Sequence, residues 1–187
     1  NAEPLGYLYV DKSNIQIEMS AVYSSIKSSR NICKNPTYYD VDIKIAQLIA
    51  GPYLNADMVN HVANTGYGGI IFAGTGLGHL PIEDPLGDAP ENVELSEAIE
   101  SYVSKGGFAI MTTQCMNGPV NMDVYSKGRH QQKIGIIGQQ TTSSPETASV
   151  KLQWLLSNIP EDKSRNEWVN QNWFENLTGE NPTSLKQ

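Results

Sequence analysis

Residues 68–81 read GGIIFAGTGLGHLP, an apolar run that leads directly into closely spaced glycines. A short apolar run bounded by turn residues predicts a strand that is buried on both faces, as in a parallel sheet. The glycines of GTGLGH (74–79) allow positive φ angles and let other groups approach the backbone N–H groups closely. Open α/β sheets usually bind ligands at the carboxyl ends of their strands, so Thr75 and His79 become candidate site residues.

A nucleotide site is the first alternative for this turn. GTGLGH resembles the dinucleotide pattern G-x-G-x-x-G only superficially, because its glycines are spaced G-x-G-x-G. The residues that follow, IEDPLGDAPENV, are rich in proline and acidic side chains and predict a loop rather than a long helix. We therefore favour a tight turn or a loop for a small ligand.

The chain on either side of this stretch alternates short strands with helices. We predict strands at 43–49, 69–74, 107–113 and 135–138. We predict helices at 55–64, 92–104, 125–133 and 146–157, with one more around Trp168 and Trp173. The apolar face of the second helix is predicted to comprise Val93, Ala98, Ile99, Tyr102 and Val103. This pattern indicates right-handed βαβ units and a three-layer αβα fold with a small, mainly parallel sheet.

The N-terminal part of the chain has a different pattern. LGYLYV and IQIEM flank the polar turn at 11–14 and predict a β-hairpin over 4–19. Residues 20–40 are rich in Ser, Asn, Tyr and Lys and predict an irregular linker. We therefore divide the chain into a hairpin and linker at 1–40 and an α/β domain at 41–187.

Composition limits the classes of function. A length of 187 residues fits one domain with a substantial core, and a net charge of −7 argues against a surface that grips nucleic acid by itself. No window approaches the 18 or so apolar residues of a membrane span. The chain begins without a methionine or a signal peptide, so we interpret it as a fragment of a longer polypeptide. Cys33 and Cys115 lack the spacing of a metal site and indicate a reducing, cytoplasmic setting.

A second candidate site follows the third predicted strand, in TQCMNG. Cys115 could act there as a nucleophile, with His79 or His130 as its base, giving a cysteine-dependent glutaminase. The strained turn of such enzymes needs small residues two positions before and after the nucleophile, where this chain has Thr113 and Asn117. We therefore favour a semi-buried structural thiol for Cys115 and a solvated side chain for His130, and keep the glutaminase as an alternative.

Seven segments of the chain are informative in combination. They are NAEPLGYLYV, VDIKIAQLIAGPYLNADMV, TGYGGIIFAGTGLGHLP, IESYVSKGGFAIMTTQCMNGPVNMDVYSKGR, GIIG, SPETASVKLQWLL and NWFENLTGE. Together they resemble the C-terminal domain of the asparaginase/glutaminase family, and the likeness is greatest to the D subunits of archaeal glutamyl-tRNA(Gln) amidotransferases. By this resemblance, 41–187 is the family's C-terminal domain and 1–40 is the end of the catalytic-domain side.

The resemblance implies that catalysis needs residues this chain does not contain. The family's nucleophilic threonine lies in a Gly-Gly-Thr-Ile segment, and its second threonine and aspartate lie in a Gly-Thr-Asp-Thr segment, both in the other domain. Neither segment occurs here, so the nucleophile is expected upstream and this chain alone is expected to be inactive. Family active sites lie between two protomers. The resemblance therefore implies substrate binding in trans by His79, Thr75, Gly76 and Tyr125, with no metal.

The implied reaction is hydrolysis of the side-chain amide of glutamine or asparagine through a threonine acyl-enzyme. In the resembled enzymes the ammonia passes to the E subunit, which uses ATP and Mg²⁺ to convert glutamate on tRNA(Gln) into glutamine. The resemblance thus implies a homodimer, the amidotransferase E subunit as partner, tRNA(Gln) bound mainly by that partner, and no cofactor on this domain. Two further alternatives are the C-terminal half of a stand-alone cytoplasmic asparaginase and a non-catalytic dimerisation or docking domain.

Overall fold

The computed structural model describes residues 4–11, 14–21, 23 and 38–181. The chain divides into two compact units, 2–37 and 38–187, and each is described by itself. Most of the predicted linker, together with Cys33, lies outside the described residues.

The N-terminal unit contains the predicted hairpin. Strands β1 (Gly6–Asp11) and β2 (Asn14–Met19) pair antiparallel, with Gly6 opposite Met19 and Asp11 opposite Asn14. The Ser20 backbone N–H and hydroxyl both donate to the Leu5 carbonyl, at 3.0 and 3.2 Å, and close the open end. The sequence-based prediction of this hairpin is confirmed.

The second unit is built on a three-stranded parallel sheet. Strands β3 (Ile45–Ile49), β4 (Gly69–Gly74) and β5 (Phe108–Thr113) lie in the order β3-β4-β5. Every residue of β4 and β5 is buried, as the continuous apolar runs predict for strands covered on both faces.

The predicted fourth strand at 135–138 is wrong. Within this segment only Ile137 pairs with the sheet, through a single parallel bridge to Ile110. Gly135 and Gly138 adopt φ angles of +92° and +132°, which end the extended conformation on both sides of this residue. The segment therefore touches β5 at one point and turns away.

Five helices cover the sheet within residues 38–181. They are α1 (Ala56–Asn64), α2 (Pro90–Ser104), α3 (Ser126–Lys133), α4 (Pro145–Ser157) and α5 (Arg165–Asn172). Asn55, Ser144 and Ser164 cap α1, α4 and α5 by accepting a hydrogen bond from a backbone N–H of the first turn. Helix α2 begins two residues earlier than predicted. Its buried face follows Leu95, Ala98, Ile99 and Tyr102, which leaves Val93 exposed.

The sheet separates two apolar cores, which gives the predicted three layers. Ile70 and Phe72 of β4 pack into one core with residues of α1 and α2. Ile71, which points to the other face, packs with residues of α4 and α5 and with Trp173. Among the residues described, no helix has the length and apolarity needed to cross a lipid bilayer.

Candidate functional site

The GTGLGH turn closes on itself at the carboxyl end of β4. The Thr75 N–H donates to the His79 carbonyl, and the His79 N–H donates to the Thr75 carbonyl, both at 3.0 Å. A Cβ on Gly74 would lie 2.7 Å from the backbone nitrogen of His79, so no larger residue fits there. Gly76 and Gly78 have φ angles of +51° and +93°, which strain other residues. The glycine spacing is therefore explained by the turn itself.

A buried glutamine from α3 fixes the turn in place. The Oε1 atom of Gln131 accepts a hydrogen bond from the Leu80 N–H at 2.7 Å, and its Nε2 atom donates to the Gly78 carbonyl at 2.8 Å. Gln131 is fully buried, so both bonds are shielded from water. The polar sequence KGRHQQK around it contains no signal that singles out this residue.

Two residues at the end of β5 connect the turn to the neighbouring strands. The Thr113 hydroxyl donates to the Gly76 carbonyl. The side-chain Nε2 of Gln114 donates to the carbonyls of Ala50 and Ala73, at 2.8 and 2.9 Å. The backbone N–H of Gln114 donates to the Gly74 carbonyl at 2.9 Å. The carboxyl ends of all three strands are thereby joined by hydrogen bonds.

The structure brings His79 and Tyr125 together, although 46 positions separate them in the chain. Their rings meet edge to face, with centroids 5.3 Å apart and an interplanar angle of 67°. Tyr125 directly precedes α3 and is 58% exposed. The segment before it is bonded to the turn that carries His79, because the backbone N–H of Asn121 donates to the Leu77 carbonyl at 2.8 Å. The two remaining candidates, Thr75 and Gly76, are exposed on the same turn.

The environment of His79 favours a neutral ring. Burial lowers the pKa of His79 below its usual 6.5, the Lys127 ammonium lowers it further, and a backbone hydrogen bond with Thr75 partly opposes both effects. Its Nε2 atom is buried and has no hydrogen-bond partner in the part of the chain that the structure describes. The site thus holds a neutral imidazole with unused hydrogen-bonding capacity.

A polar network anchors the loop that carries Tyr125. The Asp123 carboxylate accepts hydrogen bonds from Gln132 Nε2 at 2.9 Å and from Gln139 Nε2 at 2.8 Å. The backbone carbonyl of Asp123 accepts from Arg129 at 2.8 Å. These partners come from α3 and from the segment after it, so the position of Tyr125 depends on residues further along the chain. No local pattern in the sequence identifies this network.

The structure corrects two expectations about the alternative site. Cys115 is exposed rather than semi-buried, because it lies beyond the last paired residue of β5. His130 is not simply solvated, since its Nε2 lies 3.4 Å from the Ser96 hydroxyl and its Nδ1 lies 3.8 Å from a Glu83 carboxylate oxygen. The described contacts of His79 and His130 thus run to other groups than the Cys115 thiol.

The described residues include no group of three or more His, Cys, Asp or Glu side chains that could hold a metal ion. The candidate site therefore consists of the exposed turn, His79, Tyr125 and the nearby Lys127. These groups can bind and orient a small polar molecule. None of them is arranged as a nucleophile with its base.

Comparison with known proteins gives a consistent result. Residues 43–168 match the family model described as the glutaminase/asparaginase C-terminal domain. The D subunit of the Pyrococcus furiosus glutamyl-tRNA(Gln) amidotransferase is 33% identical over 135 residues, which are 72% of this chain and 28% of that protein. The D subunit from Metallosphaera sedula is 39% identical over 129 residues, 69% of this chain and 26% of that protein. The chain thus spans about a quarter of the length of these relatives.

A solved structure shares the fold. L-asparaginase I from Vibrio cholerae matches with a TM-score of 0.63 and 22% identity, over 96% of this chain and 48% of that chain. At this identity the likeness concerns the fold alone.

Proposed function

The chain belongs to the glutaminase/asparaginase C-terminal domain family, and on that premise we propose that it positions the substrate in the amide-hydrolysing part of a glutamyl-tRNA(Gln) amidotransferase. The substrate is glutamine or asparagine, and hydrolysis of its side-chain amide supplies ammonia for forming glutaminyl-tRNA(Gln). Support comes from the family match over 43–168 and from relatives that are named as the D subunit of that enzyme.

The observation that carries the proposal is the pairing of His79 with Tyr125 at the carboxyl edge of the sheet. A neutral imidazole and a phenol can both hydrogen-bond the charged head of an amino acid. Gly76 has open space where a Cβ would lie, so another protomer can approach the turn backbone closely. Gln131 and Gln114 hold the turn rigidly, which favours precise orientation of a bound substrate.

The chemical step belongs to residues outside this chain. We place the nucleophilic threonine upstream, in a catalytic domain that this chain would complete in trans within a homodimer. His79 and Tyr125 would then contact the substrate bound to the other protomer, with Thr75 and Gly76 at the rim. Orienting a substrate lowers the activation barrier without any covalent role for these residues. By itself the chain is expected to be inactive.

The proposal extends to partners. A second protein, corresponding to the E subunit of the amidotransferase, would bind ATP and Mg²⁺ and make most of the contacts to tRNA(Gln), while this domain binds no cofactor. The net charge of −7 supports a minor role for this domain in holding RNA. We place the complex in the cytoplasm.

One alternative has a specific observation in its favour. The fold match to an L-asparaginase covers nearly the whole chain, so the chain also fits the C-terminal half of a stand-alone asparaginase.

A purely structural dimerisation or docking domain remains the third candidate. It differs from the other two in requiring no role for His79.

Ammonia release from L-glutamine and L-asparagine tests the proposal. We expect no activity from the 187-residue chain, and activity from the protein extended upstream to include its catalytic domain. In the extended protein, His79→Ala is expected to lower kcat/KM about 10- to 100-fold while the protein still dimerises, because substrate orientation is lost. Tyr53→Ala, which truncates an exposed tyrosine, is the matched control and should retain full activity.

The outcomes separate the candidates. Full activity of the His79→Ala protein would support the docking role and refute substrate positioning. Activity of the short chain, abolished by alkylation of Cys115, would support the cysteine-dependent glutaminase. Tight binding of the extended protein to an ATP-dependent, tRNA-binding partner would support the amidotransferase over the free asparaginase.

A further inference from the structure

The segment that follows the single bridge of Ile137 has an unusual backbone. Among the residues that the structure describes, Gln140 is the one non-glycine with a positive φ, at +64°, and Gly138 two positions earlier has a φ of +132°. A positive φ is unfavourable for a residue with a side chain and persists only where the surrounding structure imposes it. The side chain of Gln140 is exposed, so its own packing does not impose this conformation. The cause therefore lies in the neighbouring residues.

Gln139 lies between these two residues, and its side-chain amide is fully used in hydrogen bonds. Its Oε1 atom accepts from the Met122 N–H at 2.6 Å. Its Nε2 atom donates to Asn121 Oδ1 at 3.2 Å and to the Asp123 carboxylate at 2.8 Å. Because a backbone N–H only donates and a carboxylate only accepts, these partners determine the orientation of the amide. Glutamate would lack both donors, and an aliphatic side chain would lack all three bonds.

The backbone beyond this amide is bonded to the same loop. The Gln140 N–H donates to the Val120 carbonyl at 2.8 Å, and the Val120 N–H donates to the Thr141 carbonyl at 2.9 Å. The Thr141 hydroxyl accepts a hydrogen bond from Trp173 Nε1 at 3.1 Å, and both of these residues are buried. On the other side of the segment, Ile137 is held by its bridge to the sheet. The positive φ is thus imposed from both ends.

Two contacts connect the loop at 120–125 with the turn that carries His79. The Asn121 N–H donates to the Leu77 carbonyl at 2.8 Å. The ring of Tyr125 meets the imidazole of His79, with centroids 5.3 Å apart. A shift of the loop would therefore change the relative placement of both candidate site residues.

We propose that Gln139 is a positioning residue of the site. Its amide fixes the loop at 120–125 against the turn, and the left-handed backbone at Gln140 keeps that amide within reach of the loop. Both residues act on a bound substrate through Tyr125. Their effect on amide hydrolysis rests on the proposed function, whereas their effect on the loop does not.

Backbone amide hydrogen exchange in the 187-residue chain measures the loop directly. Gln139→Met keeps the length of the side chain and removes its hydrogen bonds. We expect the Met122 amide, which loses its acceptor, and the Asn121 amide to exchange at least about 10-fold faster, while the amides of β5 keep their rates. Gln132→Met is the matched control, because it removes the other side-chain amide that binds the Asp123 carboxylate. It should leave the exchange of Met122 unchanged.

A double variant tests the orientation of the amide. Gln139→Glu places a second carboxylate beside Asp123, and adding Asp123→Asn restores a donor to this contact. The Met122 amide should therefore exchange several-fold more slowly in Gln139→Glu/Asp123→Asn than in Gln139→Glu alone. General loosening of the loop would not be reversed by a second substitution.

Substitutions at Gln140 test the backbone conformation. Because this side chain is exposed, they change mainly the preference for a positive φ. Gln140→Gly favours that conformation and should leave the exchange of Met122 unchanged. Gln140→Val disfavours it and should raise the rate at Met122 at least about 3-fold.

In the extended protein, Gln139→Met should lower kcat/KM for glutamine about 10-fold, because Tyr125 is no longer held in place. The double variant Gln139→Glu/Asp123→Asn should recover part of the activity that Gln139→Glu loses.

Each result decides the proposal. Unchanged exchange at Met122 and Asn121 in a folded Gln139→Met variant overturns it, and so does a Gln140→Gly variant that exchanges as fast as Gln140→Val. If Gln139→Met does not fold, the two Gln140 variants decide alone. Faster exchange with undiminished activity of the extended protein would overturn the role in substrate positioning. An extended protein without any activity would refute the proposed function and leave the exchange result standing, so the two failures are distinguishable.

Discussion

A buried ion pair near the end of the described chain supports the sharpest stability prediction. Lys151 Nζ of α4 lies 2.8 Å from Glu180 Oε1, and only 4% of each side chain is exposed. The same carboxylate accepts hydrogen bonds from the backbone N–H groups of Leu177 and Thr178. The ammonium also lies 5.5 Å from the centroid of a Trp173 ring. The segment after α5 therefore folds around the charge of Lys151.

The strength of this arrangement can be estimated from the carboxyl group. Burial by itself would raise the pKa of Glu180, but the hydrogen bonds from Lys151, Thr178 and Leu177 outweigh it and lower the pKa from 4.5 to about 2. At about 1.36 kcal/mol per pKa unit, this corresponds to roughly 3 kcal/mol of stability at pH 7. Breaking a buried pair by removing one partner typically costs about 3–5 kcal/mol, which agrees.

Glu180→Gln should therefore destabilise the protein by about 3 kcal/mol at pH 7. Because the carboxyl pKa is lowered by folding, the contribution is fully present above the unfolded value of 4.5 and is lost as the pH falls toward 2. The difference between the two proteins should shrink to less than half by about pH 3. Urea unfolding followed by tryptophan fluorescence at pH 7, 5 and 3 measures it.

Glu175→Gln is the matched control. It makes the same chemical change at an exposed residue nearby and should alter stability by less than about 0.5 kcal/mol. A loss below about 1 kcal/mol for Glu180→Gln at pH 7, or a difference that does not narrow at low pH, would refute the reasoning from the ion pair.

Two further substitutions test the turn, and both can be measured by urea unfolding. Gln131→Leu leaves the Leu80 N–H and the Gly78 carbonyl buried without partners, so we expect a loss of about 2–4 kcal/mol; an unchanged stability would mean that water replaces the amide. Gly78→Ala combines a φ of +93° with a Cβ 2.9 Å from Met111 and Val120, so it should cost more than Gly118→Ala, which has a similar φ of +90° and open space around it. Equal losses for the two alanine variants would show that backbone strain, and not crowding, dominates at residue 78.

The sequence predicted those parts of the fold that depend on local patterns. Continuous apolar runs identify β4 and β5. Helices α1 and α4 begin within one residue of their predicted starts, where the structure shows Asn55 and Ser144 capping the residues that follow directly. The phase of α2 was mispredicted at Val93, since the buried face depends on which residues the sheet contacts. The prediction of a fourth strand is wrong because Gly135 and Gly138, at its two ends, take positive φ angles that the sequence alone does not reveal.

The candidate site was predicted only in part, for a similar reason. The glycine-rich turn and His79 stand out locally, and the family resemblance pointed to Tyr125. Gln131 hydrogen-bonds the turn from more than 50 positions away in the sequence. Outside the site, the pairing of Lys151 with Glu180 likewise spans 29 positions. Polar residues such as these look like solvent-exposed side chains until the fold brings their partners together.

The bonds of Gln114 have one more consequence. Its side-chain amide reaches carbonyls at the ends of β3 and β4, while its own backbone extends β5. Side chains alternate between the two faces of a strand, so a slip of β5 by one residue would turn this amide toward the opposite face and break both bonds at once. A sheet in which β5 is misaligned would therefore lack both side-chain hydrogen bonds of Gln114, whether or not a ligand is bound. These bonds thus favour the correct alignment of β5 with the other two strands.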